Sequence, residues 1–220
     1  MDPLSDITII SCLYGSSHDD YLSDWLAAVG RLDPAPREVI IGTDRYRHLT
    51  SVYEVSRRRQ NRSSYPQAFH LTSALHEVQT EWVWIHDIDD LAFPDALEGI
   101  ENAEADVVQC GYERSDGEVY IPPGLTEMEF MPLDHNPFVA GSFVRTDMLL
   151  DAGGFPDVAL QDWALWRTLA RMGAIFAGGD RPRFRYMRHA RTRGSTELTA
   201  AERRKHMVEM WRWEDERAVA

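Results

Sequence analysis

The stretch Trp82-Val83-Trp84-Ile85-His86-Asp87-Ile88-Asp89-Asp90-Leu91-Ala92-Phe93-Pro94 decides the fold. Its first four residues are apolar without alternation, the pattern of a strand covered on both faces. The run stops at three carboxylates, Asp87, Asp89 and Asp90. Open α/β sheets bind ligands outside the carboxyl ends of their strands. Hard oxygen donors there suit Mg²⁺ or Mn²⁺, which in turn hold phosphates. The plain alternative is a solvated acidic turn in which one aspartate caps a helix led by Pro94.

Working outward, Ile7 to Leu13 is a second apolar run of strand length, ending at Tyr14-Gly15. Tyr21, Leu22, Trp25, Leu26, Val29 and Leu32 then recur at helical spacing, and Glu38-Val39-Ile40-Ile41 is a third strand stopped by Gly42. Together these make a βαβ unit. Val52 to Val55 reads as a short strand, Arg57 to Ser64 as loop, and Pro66 to about Val78 as a helix. Downstream of the acidic cluster, Pro94 opens a predicted helix, and Asp106 to Cys110 and Phe138 to Val144 are predicted strands. Trp163 to Met172 forms an amphipathic helix, and Arg181, Arg183 and Arg185 fall at strand period on one face. Thr199-Ala200-Ala201-Glu202 is a capping box for a last helix, docked through Met207, Met210 and Trp211. Strands alternating with helices predict an α/β fold with a mostly parallel sheet flanked by helices, plus a C-terminal helix. The expected organisation is one domain over residues 1–198, with 199–220 packed on it or on a partner subunit as a homodimer.

Composition narrows the function. A net charge of −13 argues against nucleic acid as a partner, since affinity for phosphate backbones comes from basic surface. The charge is uneven: 17 acidic residues and two arginines lie between Ile85 and Leu160, whereas Arg181 to Arg193 holds six arginines and no acid. The first region suits a cation and the second an anion. No apolar run approaches the roughly 18 residues of a membrane span, and Met1-Asp2-Pro3 lacks the charge of a signal peptide, so the expected location is the cytoplasm. Cys12 and Cys110 both sit in predicted strands and read as small buried hydrophobes that need no disulfide.

Four segments together resemble the family 2 glycosyltransferases, whose nucleotide-sugar domain is the GT-A fold. Leu13-Tyr14-Gly15 matches the end of that family's first strand, and Gly42-Thr43-Asp44 loosely matches the end of its second. Ile85-His86-Asp87-Ile88-Asp89-Asp90, followed by Pro94, is similar to its L-D-x-D-D hallmark. Gly153-Gly154-Phe155, then Gln161-Asp162-Trp163, is similar to its G-G-F, spacer and E-D motif, with Gln161 where many members carry Glu. The likeness spans roughly residues 7 to 190.

The resemblance implies an inverting transfer of a sugar from a nucleoside diphosphate sugar to an acceptor hydroxyl, assisted by Mn²⁺ or Mg²⁺. Asp162 would be the general base; its bland alternative is to be the N-cap of the next helix. Asp87, Asp89, Asp90 and His189 would be metal ligands. Donor contacts would come from Tyr14, Gly15, Asp44, Arg62, Gln67, Asp87 and Arg188, and acceptor contacts from Trp163, Gly141 and Ser142. The acceptor, whether glycan, protein or small molecule, is not written in these motifs. Two other readings stay open: a noncatalytic nucleotide- or glycan-binding module on the same fold, and a nucleotidyltransferase, for which no Gly-rich triphosphate loop is evident.

Overall fold

A computed structural model describes residues 5–13, 19–43, 53–56, 65–187 and 198–218. The main sheet is built from β1 (Ser5–Leu13), β2 (Pro36–Thr43), β3 (Tyr53–Ser56), β4 (Trp82–Ile85), β6 (Val107–Val108), β9 (Phe143–Arg145) and β10 (Phe176–Ala177). Its order is β10-β6-β9-β4-β1-β2-β3. The block β4-β1-β2-β3 is parallel, β10 pairs parallel with β6, and β9 runs antiparallel between β4 and β6. A small second sheet orders β5 (Leu91–Ala92), β11 (Pro182–Tyr186), β7 (Gly111–Arg114) and β8 (Val119–Tyr120).

The unbroken apolar runs do cover both faces. Odd residues of β1 (Ile7, Ile9, Leu13) and the tryptophans Trp82 and Trp84 of β4 join one core, with Trp25 and Ala28 of α1 (Asp19–Val29) and Phe184 of β11. Ile10, Cys12, Val83 and Ile85, one residue out of phase, join the other core. That core also holds Leu71 and Ala74 of α2 (Pro66–Leu75) and Leu165 and Trp166 of α5 (Gln161–Arg171). Such burial contributes about 25 cal/mol per Å² of apolar surface and dominates the stability of the layers. Gly42 lets α2 come close: a Cβ there would lie 2.2 Å from the carbonyl oxygen of His70. Both cysteines are buried and free.

The helix predicted at Pro94 is instead a run of turns ending in a single 3₁₀ turn, Ile100–Asn102, entered through Gly99 at φ 81°. Its carbonyls are claimed by tertiary donors. Arg183 Nη1 donates to Ala96 O (2.6 Å) and Glu98 O (3.0 Å), Arg181 Nη2 donates to Asp95 O (3.0 Å), and Asp33 N donates to Pro94 O (2.7 Å). Arg183 is also ion-paired with Asp180, and Arg185 with Glu113. The described arginines of the basic cluster, Arg181, Arg183 and Arg185, are therefore engaged by carbonyls and carboxylates of the protein itself.

Beyond the short helices α3 (Glu127–Phe130) and α4 (Thr146–Asp151), the chain closes with α6 (Ala200–Ala218). Its capping box forms as predicted: Glu202 Oε2 accepts from Thr199 N at 2.9 Å and Glu202 N donates to Thr199 Oγ1 at 3.3 Å. It packs on α5 of its own domain. Met210 is fully buried and Met207 packs beside it, but Trp211 is 43% exposed; Trp213, two residues on, takes the inward place. Buried Glu214 accepts from Arg167 Nε (2.6 Å) and Nη2 (3.2 Å) and from Arg171 Nη2 (2.7 Å).

Candidate active site

Strand β4 ends at Ile85, and the chain turns so that Asp90 N donates to Asp87 O at 3.1 Å. The turn sends Ile88 into the core and leaves Asp87 and Asp89 partly exposed. Burial, then the neighbouring charges of Asp89 and Asp162, push the Asp87 carboxyl up to about 7. The buried thiol of Cys12, at the end of β1, is raised by desolvation and then by Asp87 and Asp89. Thus the ends of two adjacent parallel strands converge on one pair of carboxylates.

Asp90 does a different job. It is 4% exposed, and its Oδ1 accepts the backbone N–H of Met187 at 2.9 Å, tying the acidic turn to the end of β11. Desolvation, then Asp87 and Asp89, push its carboxyl well up. A buried carboxylate accepting a backbone donor has its position fixed, so Asp90 anchors the turn that carries the other two.

Asp162 comes from the other side of the cleft. The turn Gly153-Gly154, at φ 80° and 83°, brings Phe155 N onto Thr72 Oγ1 of α2 at 2.9 Å and delivers the chain to α5. Leu160 is the N-cap of α5, so Asp162 lies inside the first turn and not at the cap. Its Oδ2 accepts from Asn136 Nδ2 at 3.0 Å. Desolvation raises its carboxyl, opposed by the N–H groups of Trp163 and Asp162 and by Asn136. Asp87 and Asp162 line the same cavity with Gln67, Gln161, Phe155 and Trp166. The cavity is about 20 Å³, room for about one water molecule.

Of the expected donor contacts, Gln67 is in this cavity, where its Nε2 donates to Asp87 Oδ1 at 3.3 Å. Tyr14, Gly15, Asp44, Arg62, Arg188 and His189 lie outside the described residues. Among the described residues no group of three His, Cys, Asp or Glu stands ready around a cation. The three expected acceptor contacts, Gly141, Ser142 and Trp163, are all buried. Ser142 is fully buried, with Val139 O (2.7 Å) and Gln109 Oε1 (3.0 Å) both within reach of its one hydroxyl proton. Gly141 accepts from Trp84 Nε1 at 3.1 Å, and Trp163 is 3% exposed in the core. Sequence reasoning missed Asn136, whose setting in Asp134-His135-Asn136-Pro137 reads as an ordinary turn. It also missed Tyr186, whose phenol is raised by burial and then by Asp90, Asp89 and Asp87.

No family model and no curated protein matches the sequence. Solved structures do match. S. aureus TarS 1-349 superposes with a TM-score of 0.63 at 17% identity, over 82% of this chain and 60% of that one. The same protein in complex with UDP-GlcNAc gives 0.63 at 16%, over 88% and 61%. The mannosyltransferase PcManGT from Pyrobaculum calidifontis, in complex with GDP-Man and Mn²⁺, gives 0.59 at 19%, over 94% and 63%. The chain thus spans about three fifths of the length of these solved chains, and 36% of a longer TarS chain, and at such identities the likeness is one of architecture. With a mostly parallel sheet, an acidic turn after its central strand β4 and α5 facing that turn, the chain has the GT-A fold of the glycosyltransferases.

Proposed function

We propose that the protein moves a glycosyl group from a nucleoside diphosphate sugar to an acceptor hydroxyl, in one displacement that inverts the anomeric carbon. The observation that supports this is a single cleft lined by Asp87, at the carboxyl end of β4, and Asp162, in the first turn of α5. As general base, the Asp162 carboxylate takes the acceptor's proton while the acceptor oxygen bonds to the anomeric carbon. The bond from that carbon to the diphosphate breaks, and its electron pair leaves with the nucleoside diphosphate. Burial raises Asp162 toward the range where a carboxylate is a better base, and the helix N–H groups oppose that rise by favouring the charged form.

Asp87 and Asp89 suit a divalent cation. They are hard oxygen donors, and the charge of Asp89, which adds to burial in driving Asp87 up to about 7, is a repulsion that a cation would relieve. Bound there, Mn²⁺ or Mg²⁺ would offset charge on the departing diphosphate. Gln67 orients Asp87, and Asp90 fixes the turn that presents both carboxylates.

The test is a thermal-shift panel of UDP-GlcNAc, GDP-mannose and a dTDP-sugar, with and without Mn²⁺ or Mg²⁺. A donor at about 100 times its Kd stabilises the fold by ~2.7 kcal/mol. Asp162→Asn should keep that shift and lose ~10²–10⁴-fold in nucleoside diphosphate release. No shift with any nucleotide in either metal would overturn the reading. A shift without release by the wild type, over a panel of acceptors, would favour the noncatalytic binding module.

A further inference from the structure

Resting on Asp162 as the base, we infer that Asn136 is its positioning residue. The loop between α3 and β9 brings Asn136 against the first turn of α5, 26 positions along the chain, with Nδ2 3.0 Å from Asp162 Oδ2. The amide cannot be turned around. Its Oδ1 accepts the N–H of Phe138 at 3.1 Å, so the reversed amide would set its oxygen against the carboxylate and its NH₂ against an N–H. Phe138 is itself fixed, 5% exposed, with its ring 4.6 Å from Phe130 and stacked 5.0 Å from Phe176. The chain Phe138 N–H to Asn136 Oδ1, then Asn136 Nδ2 to Asp162 Oδ2, thus carries the order of the core to one carboxylate oxygen. The carboxylate cannot rotate freely, which is what a base aimed at one hydroxyl requires. Asn136 also favours the ionised form, because an amide N–H bonds best to a charged acceptor. The charged groups that face Asp162 across the cleft come from the β4 end, Asp87 foremost, and they act in the opposite sense.

Two variants and two readouts test the assignment on the full chain. Asn136→Ala removes both bonds; Asn136→Asp keeps an acceptor for Phe138 N–H but sets a like charge beside Asp162. The first readout needs no ligand: the carboxyl ¹³C signal of Asp162, assigned by its absence in Asp162→Asn, is titrated in metal-free protein. Its midpoint should rise in Asn136→Ala and rise further in Asn136→Asp. The second is nucleoside diphosphate release from UDP-GlcNAc or GDP-mannose with Mn²⁺, where kcat should fall on the order of 10- to 100-fold with donor affinity unchanged. An unmoved midpoint in both variants overturns the inference whatever the activity. If Asp162→Asn releases nucleoside diphosphate at the wild-type rate, the base assignment itself fails. An inactive Asp162→Asn beside a fully active Asn136→Ala would remove only Asn136.

Discussion

His86 and Asp87 are adjacent, yet their burial works on stability in opposite directions. The His86 ring is fully buried, stacked 4.3 Å from Trp84, with no hydrogen-bond partner for either nitrogen among the described residues. Desolvation lowers it from 6.5 to about 3. Between those values the unfolded chain holds more protons, so this residue makes stability rise with pH. Asp87 is raised from 3.8 to about 7, so over that window the folded chain holds more protons and stability falls as pH rises. Each contribution is at most on the order of a few kcal/mol, at 1.36 kcal/mol per pKa unit. Melting temperatures in metal-free buffer from pH 4.5 to 7.5 should therefore slope more negatively in His86→Phe than in the wild type, and more positively in Asp87→Asn. Parallel slopes in all three proteins would contradict the opposed signs. At this scale the acidic turn was legible because three carboxylates directly after a wholly apolar strand stand where an open α/β sheet meets its ligand. Asn136 was not, since its partner lies 26 residues away. Nor was the burial of Ser142 and Trp163, which is decided by tertiary packing that no local spacing encodes.

The elements that could be read were those whose own pattern carries a period, an apolar run or a cap: β1, β2, β3, β4, β6, β11, α1, α2, α5 and α6. Strands of two residues, such as β5 and β10, have no period to read, and the antiparallel entry of β9 between β4 and β6 follows from where the chain returns. The Pro94 segment shows what a start signal leaves out. Its Pro and acidic residues suit a helix, but Arg181 and Arg183, more than 80 residues on, compete for its carbonyls. The Gly153-Gly154 turn is an element-level hinge between α4 and α5, and it supports a direct comparison. Gly99 and Gly154 both have positive φ, 81° and 83°, but a Cβ at Gly99 meets open space, whereas at Gly154 it would lie 2.6 Å from Thr72 Cγ2. Gly99→Ala should cost ~1 kcal/mol of backbone strain alone, and Gly154→Ala up to ~3 kcal/mol or more, as α2 and the turn are pushed apart. Urea denaturation reads both; equal losses would mean that Thr72 yields freely and does not hold the turn.

Across the whole molecule, α6 bears on the cleft without lining it. Glu214 of α6 meets Arg167 of α5, and both are buried, at 4% and 7% exposure, while Arg171 adds a second guanidinium to the same carboxylate. Arg167 lies on the helix that begins with Asp162 in its first turn, so the C-terminal helix braces the element carrying the proposed base. No helix among the described residues is long and apolar enough to cross a membrane, and α6 follows that rule: its inward residues Met207, Met210 and Trp213 are interleaved with charge. Breaking a buried pair by removing one partner strands the other charge and costs about 3–5 kcal/mol. That is a large share of the roughly 5–15 kcal/mol typical of a folded domain. Glu214→Ala should lose that much in urea denaturation, whereas Glu214→Gln, which keeps an oxygen acceptor for Arg167, should lose less. If bracing of α5 is the role of α6, the Glu214→Ala protein, at a temperature where it remains folded, should also show a broadened Asp162 carboxyl ¹³C signal. A Glu214→Ala protein within about 0.5 kcal/mol of wild type, the range of a neutral surface change, would mean that α5 and its carboxylate stand without the final helix.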